Sequence, residues 1–230
     1  MNIEGKIKNC EYNLKQIIYF NPDPYYMNYF FKAYLQSVIK VYDEILEEAN
    51  RDFGLFISGK CTKENFEVKA IKKNDQQALR FLFWFKENYK IEHSSSYPSF
   101  IKKISCFFKE YKHLPEITIK IRANHRYKDD DVQTIQVGLT NGKIRSKEEL
   151  QTEIKRQTPV FLEIINQKRK NKNEPKVSEN QIIASAYLEM KDYEDIEISH
   201  ACKIYLPVMK RFLDESRNEI KRLTRYVDGQ

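Results

Sequence analysis

The chain has 230 residues, of which 41% are hydrophobic, 13% aromatic and 32% charged, with a formal charge of +7; this supplies a core inside a well-solvated surface. No apolar run approaches the roughly 18 residues a membrane span needs, and Met1-Asn-Ile-Glu-Gly-Lys opens without an apolar signal region, so the chain is expected to be cytoplasmic and to have no membrane segment. Only 6 Gly and 7 Pro argue against a turn-rich sandwich and for long helices.

Ile7, Leu14, Ile17 and Ile18 form the apolar face of a helix over 7–20, which Asn21-Pro-Asp-Pro ends. Asp23 suits an N-cap and Pro24 a first helical position. A long helix over 24–50 follows, because Met27, Phe31, Tyr34, Val38, Tyr42, Ile45 and Ala49 recur at three- and four-residue steps. Its acidic end (Asp43, Glu44, Glu47, Glu48) reads as a solvated face. Gly54 suits a C-cap. A short helix is expected over 62–72, and Asn74 and Asp75 cap another over 76–89. The run Phe81–Phe85 makes that helix apolar almost all round, so it is expected to be deeply buried or to form a homodimer contact.

A loop follows at Ser94-Ser-Ser-Tyr-Pro, then a helix over 100–111 with Ile101, Ile104, Phe107, Phe108 and Tyr111 on one side. The period then changes to strand alternation. Ile117, Ile119 and Ile121 alternate with polar residues, as do Ile135, Val137 and Leu139, and Asn141-Gly142 is a hairpin signal. Residues 116–145 therefore read as a small antiparallel β-arm. Ser146 to Glu149 form a capping box opening a helix to about Gln167, kinked at Pro159. Residues 168–177 read as a solvated polar loop. Ser178 to Gln181 form a second capping box, starting a helix to about Lys191, and a last helix begins near Ser199 with a kink at Pro207. The expected fold is mainly α: one helical-bundle domain over 1–230 with a small antiparallel β-hairpin or sheet inserted near 116–145.

Chemistry-bearing residues are sparse. Cys10, Cys61, Cys106 and Cys202 are far apart and make no CxxC pair, and the four histidines show no metal-ligand spacing, so neither a disulfide framework nor a metal site is expected. There is no glycine-rich phosphate loop and no GxSxG elbow, and no cofactor is expected. Residues 101–128 hold eight Lys/Arg against two Glu. Lys102, Lys103, Lys109, Lys112, Arg122 and Arg126 there are candidate nucleic-acid contacts, with Phe100, Tyr111 and Tyr127 available to stack on bases. His113 and His125 flank the first expected strand as acid/base candidates.

Three features together resemble the HEPN superfamily over residues 25–113: the aromatic-rich helix Tyr29-Phe-Phe-Lys-Ala-Tyr-Leu-Gln-Ser-Val, the segment Phe81-Leu-Phe-Trp-Phe-Lys-Glu-Asn-Tyr, and a basic helix ending in His113. The resemblance implies a small helical bundle, often dimeric, of a kind common among ribonucleases of toxin–antitoxin and defence systems. The family's active motif is an Arg, a polar residue, three variable residues and a His. His113 matches the His, but Phe108 then occupies the Arg position, and no Arg lies five residues before any histidine. The resemblance therefore implies a degenerate member without the usual nuclease chemistry. The expected function is non-catalytic binding of RNA or a protein partner, as a homodimer through Phe81–Phe85. The alternatives are a ribonuclease with a non-standard site at His113 and Lys109, and a structural or regulatory assembly protein.

Overall fold

The computed structural model describes residues 3–89, 119–127, 131–136, 147–190 and 193–225. The fold is mainly α. Among the described residues its helices are α1 (Ile3–Phe20), α2 (Pro24–Asp52), α3 (Lys63–Lys72), α4 (Gln76–Tyr89), α5 (Lys147–Asn171) and α6 (Ile198–Arg225). Its strands, β1 (Ile119–Tyr127), β2 (Asp131–Gln136), β3 (Ile182–Met190) and β4 (Tyr193–Glu197), form one antiparallel sheet in the order β2-β1-β3-β4. Among the described residues no helix is long and apolar enough to cross a membrane. The chain divides into two compact units. The first holds Met1–Lys15, Lys32–Leu114 and His200–Gln230, and the second Gln16–Phe31 and Pro115–Ser199.

The first unit is a helical core. Tyr34, Leu35, Val38, Val41, Tyr42, Ile45 and Ala49 of α2 are buried with Cys202, Tyr205, Met209, Leu213, Ile220 and Leu223 of α6. Buried hydroxyls need partners: Tyr34 donates to the Cys202 carbonyl at 3.1 Å, and the Tyr42 and Tyr205 hydroxyls pair at 2.9 Å. On α4, Ala78, Phe81, Leu82 and Phe85 are buried, Phe81 among Phe53, Phe66 and Phe85, and Trp84 stacks on Phe212 at 5.8 Å. The Asp75 cap expected on α4 forms, its carboxylate accepting from the Ala78 amide at 2.9 Å, and Thr62 and Asn65 add an unexpected capping box on α3. Gly54 stands at φ +58°, the left-handed conformation a helix C-terminus favours.

Two expectations in this unit are corrected. First, α4 is not deeply buried all round: Phe83 is 68% exposed, because the five-residue run covers more than a full helical turn and only part of it meets the core. Second, the acidic end of α2 is not merely solvated. Glu44 pairs with Lys6, Asp43 with Lys60 at 2.7 Å, and Glu48 takes both Nε and Nη2 of Arg217 at 2.9 and 2.7 Å. Glu47 accepts the Cys61 amide at 2.7 Å. These carboxylates tie α1, α6 and the 54–62 connection to α2.

The second unit is built on the sheet. β1 is an inner strand, pairing Tyr127 with Asp131 of β2 and His125 through Ile119 with Ile182 through Leu188 of β3. β1 and β2 thus close on each other next to Asp131; the Asn141-Gly142 turn expected after the second strand lies outside the described residues. The sheet also reaches beyond 116–145 and takes in 182–197. The helix expected after Ser178 is instead a single 3-10 turn, Glu179–Gln181, running into β3. Ser185, Ala186 and Tyr187 are buried in succession, so both faces of β3 are covered and the strand shows no two-residue alternation to reveal it. Asn21, between α1 and α2, finishes the sheet edge. β4 pairs with β3 only as far back as Tyr187, and beyond it the Ala186 amide donates to Asn21 Oδ1 at 2.8 Å.

Candidate nucleic-acid interface

The best-built basic feature lies in the second unit, where α5 ends. Lys168, Lys170, Lys172 and Lys176 are all exposed, and none of their ammonium groups is ion-paired among the described residues. Between them Arg169 is 6% exposed. Its Nε donates to the Pro175 carbonyl at 2.7 Å, and its Nη1 meets Glu174 at 3.1 Å. The Glu174 and Lys172 amides return to the Arg169 carbonyl at 3.0 and 2.9 Å, with Asn173 at φ +56° turning the chain. Asn166 then grips the returning strand from both sides. It accepts the Val177 amide at 2.7 Å and donates to the Val177 carbonyl at 3.1 Å.

The electrostatic consequence is direct. Glu174, the one carboxylate within 168–176, is consumed by the buried Arg169. Four ammonium groups remain on a braced turn, which we call the knuckle. The C-terminus of α5 carries roughly half a negative charge, which favours cations there and is outweighed by four of them. The polar loop expected for 168–177 is thus a folded turn that begins in the last residues of α5, and its lysines are exposed as expected. Only the burial of Arg169 reveals this, and a run of alternating Lys and Asn does not announce which cation turns inward.

Arg122 and Arg126 sit on β1, opposite Ser185 of β3 and Val132 of β2 respectively. Lys120 lies on the same strand. The Arg126 end of β1 is the end where β3 begins, directly after the 3-10 turn that follows the knuckle. Lys102, Lys103, Lys109, Lys112 and His113 lie outside the described residues.

The described cysteines are not poised for chemistry. Cys10, Cys61 and Cys202 are buried free thiols. Burial, aided by Glu11, pushes the Cys10 thiol up to about 12. Burial, with Glu47 and Asp43, does the same to Cys61, and burial raises Cys202 well above its ordinary value. A thiol that stays protonated is a poor nucleophile. Among the described residues no group of three or more His, Cys, Asp or Glu is placed to hold a metal ion.

No family model matches the chain, and neither a curated protein nor a solved structure matches it.

Proposed function

We propose that this protein binds RNA in the cytoplasm without cleaving it. The observation that carries the reading is the knuckle. Four exposed lysines without acidic partners among the described residues stand on a turn whose only carboxylate is already satisfied. Such an array neutralises phosphates and releases their counterions, which supplies much of the affinity of proteins for nucleic acids. Lys120, Arg122 and Arg126 on one strand add cations in the same unit, and Lys102, Lys103, Lys109 and Lys112 join them in this reading. Raised thiol pKa values favour binding over covalent chemistry, as does Phe108 in the Arg position of a HEPN-like motif.

Fluorescence anisotropy with a labelled RNA oligomer tests the reading. Wild type binds at low salt, and the quadruple variant Lys168→Glu/Lys170→Glu/Lys172→Glu/Lys176→Glu binds at least ten-fold more weakly. The same RNA stays intact on a denaturing gel. Absence of binding at low salt, or equal binding by the variant, removes the proposal; cleavage that His113→Ala abolishes replaces it with the ribonuclease reading.

A second reading concerns assembly. The exposed Phe83 beside the half-buried Trp84 supports a homodimer through α4. Sedimentation should then give a dimer for wild type and a monomer for Phe83→Asp; a wild-type monomer at high concentration rejects it.

A further inference from the structure

We infer that Phe56, on the turn between α2 and α3, is a platform on which an unpaired base of RNA stacks. The inference rests on the RNA-binding reading and adds the strandedness of the ligand and a contact on the first unit. Phe56 is 80% exposed and stands at φ +55°. A bulky side chain rarely takes that left-handed conformation, because its Cβ crowds the following carbonyl oxygen. Glycine would turn the chain there without that strain. A strained residue that also holds a large ring in water points to a role outside the fold.

The turn is clamped on both sides of the ring. Leu55 is fully buried, and its amide donates to the Asn50 carbonyl at 3.0 Å. The Asn50 side chain holds Ile57 by both of its polar atoms. Its Oδ1 accepts the Ile57 amide at 3.0 Å, and its Nδ2 donates to the Ile57 carbonyl at 3.5 Å. With Leu55 and Ile57 both fixed, Phe56 cannot turn inward without breaking one of these anchors. The ring is positioned too. Lys73 Nζ stands over it, 4.6 Å from its centroid, and donates to the Gly54 carbonyl at 2.5 Å. The ring edge passes close to Gly54, where a Cβ would lie 3.7 Å from Phe56 Cε2. The ammonium covers one face, and the exposure of the residue leaves the other open to a flat π-system.

The surroundings choose among the partners that could cover such a ring. A protein partner buries its anchor within an apolar, water-excluding surround, and a membrane surface takes several apolar side chains together. The turn offers neither: Leu55 is buried, Ile57 is half-buried, and the exposed residues that follow are Ser58, Gly59 and Lys60. The exposed Val68 and Ile71 lie roughly 140° to 160° around α3 from Lys73. The exposed Phe83 lies about 160° around α4 from Phe81, the residue that packs on Phe53 of the turn.

A nucleotide needs only one open ring face and cations for its phosphates. Lys60 pairs with Asp43 at 2.7 Å and Arg51 with Glu44 at 3.7 Å. Lys73, at the ring, and Lys72, next to it in the chain, have no carboxylate partner among the described residues. Against these two ammonium groups stands one unpaired carboxylate, Asp52, exposed at the end of α2. In a duplex the base faces are stacked on one another, so only an unpaired base reaches the ring.

The test uses the full chain and three RNA probes: a single-stranded oligomer, an abasic oligomer of the same length, and a duplex. Phe56→Ala should weaken single-strand binding roughly five- to a hundred-fold and leave abasic and duplex binding unchanged. Phe56→Trp keeps a plane and should bind the single strand at least as tightly as wild type. Phe56→Leu keeps apolar bulk without the plane and should lose as much as Ala. Phe56→Gly, relieved of the strain, should lose the same affinity yet melt no lower than wild type; a lower melting temperature shows that the ring serves the fold and overturns the inference. Wild-type affinity in Phe56→Leu, or an equal loss of the abasic probe in Phe56→Ala, overturns stacking. If the knuckle variant is weakened but Phe56→Ala is not, this inference fails and the RNA reading stands. If wild type binds none of the probes, both fall.

Discussion

Replacing Asn166 with Ala removes the grip on Val177 and leaves every lysine of the knuckle in place. Asn166 supplies two hydrogen bonds to one residue, at 2.7 and 3.1 Å, and Val177 is buried. Leaving a buried donor or acceptor unsatisfied costs about 1–3 kcal/mol each. Asn166 is itself only half-buried, so water reaches part of the gap and the lower end applies. A loss of about 2–3 kcal/mol follows for Asn166→Ala. Asn166→Asp keeps the acceptor for the Val177 amide and loses the donor to its carbonyl, so its loss is about half as large. Urea unfolding at neutral pH measures both, and hydrogen exchange of the Val177 amide reports the site directly. That amide should exchange far faster in the Ala variant and nearly as slowly as wild type in the Asp variant. RNA affinity should fall in the Ala variant although no charge was removed, because the lysines lose their fixed spacing. Unchanged exchange at Val177, or a stability change below about 0.5 kcal/mol in the Ala variant, refutes the brace.

The Glu carboxylates around the helical core make stability acid-sensitive. Glu11 is held below its ordinary value by Lys210, Glu219 by Arg222, and Glu4 by backbone hydrogen bonding and then Arg217. A depressed folded pKa stabilises fully above the unfolded value of 4.5 and less as pH falls through the folded one. Unfolding free energy should therefore be flat near neutrality and decline below pH 4.5; a rise on acidification contradicts this. Arg217→Met releases Glu4 and Glu48 together. Its cost is about 1 kcal/mol after discounting for solvent, and it makes the acid decline shallower. Cys10, Cys61 and Cys202 should resist thiol reagents in the native protein at mildly alkaline pH and react readily in strong denaturant. Rapid native labelling of any of them, mapped by mass spectrometry, refutes their burial.

How much the sequence disclosed varied with how each residue is satisfied. The stripe from Met27 to Ala49 is buried in one uniform way, so its periodicity maps onto α2 directly. Asp23 and Asp75 act within a few residues, so their caps were readable locally. β3 was hidden because Ala184, Ala186 and Leu188 favour helices in isolation, and pairing with β1 overrides that preference. The acidic end of α2 and the run 168–176 were hidden for a different reason. Their partners depend on distant segments, such as Arg217 for Glu48, or on which cation of several turns inward, as Arg169 does.

The most direct test of RNA binding through the knuckle is the salt dependence of affinity. Log affinity for a single strand should fall linearly with log salt, with a slope of roughly −0.7 for each phosphate neutralised. Lys168→Gln/Lys170→Gln/Lys172→Gln/Lys176→Gln should flatten that slope by up to about 3. A slope indifferent to the four lysines, or no measurable affinity at low salt, contradicts RNA binding through the knuckle.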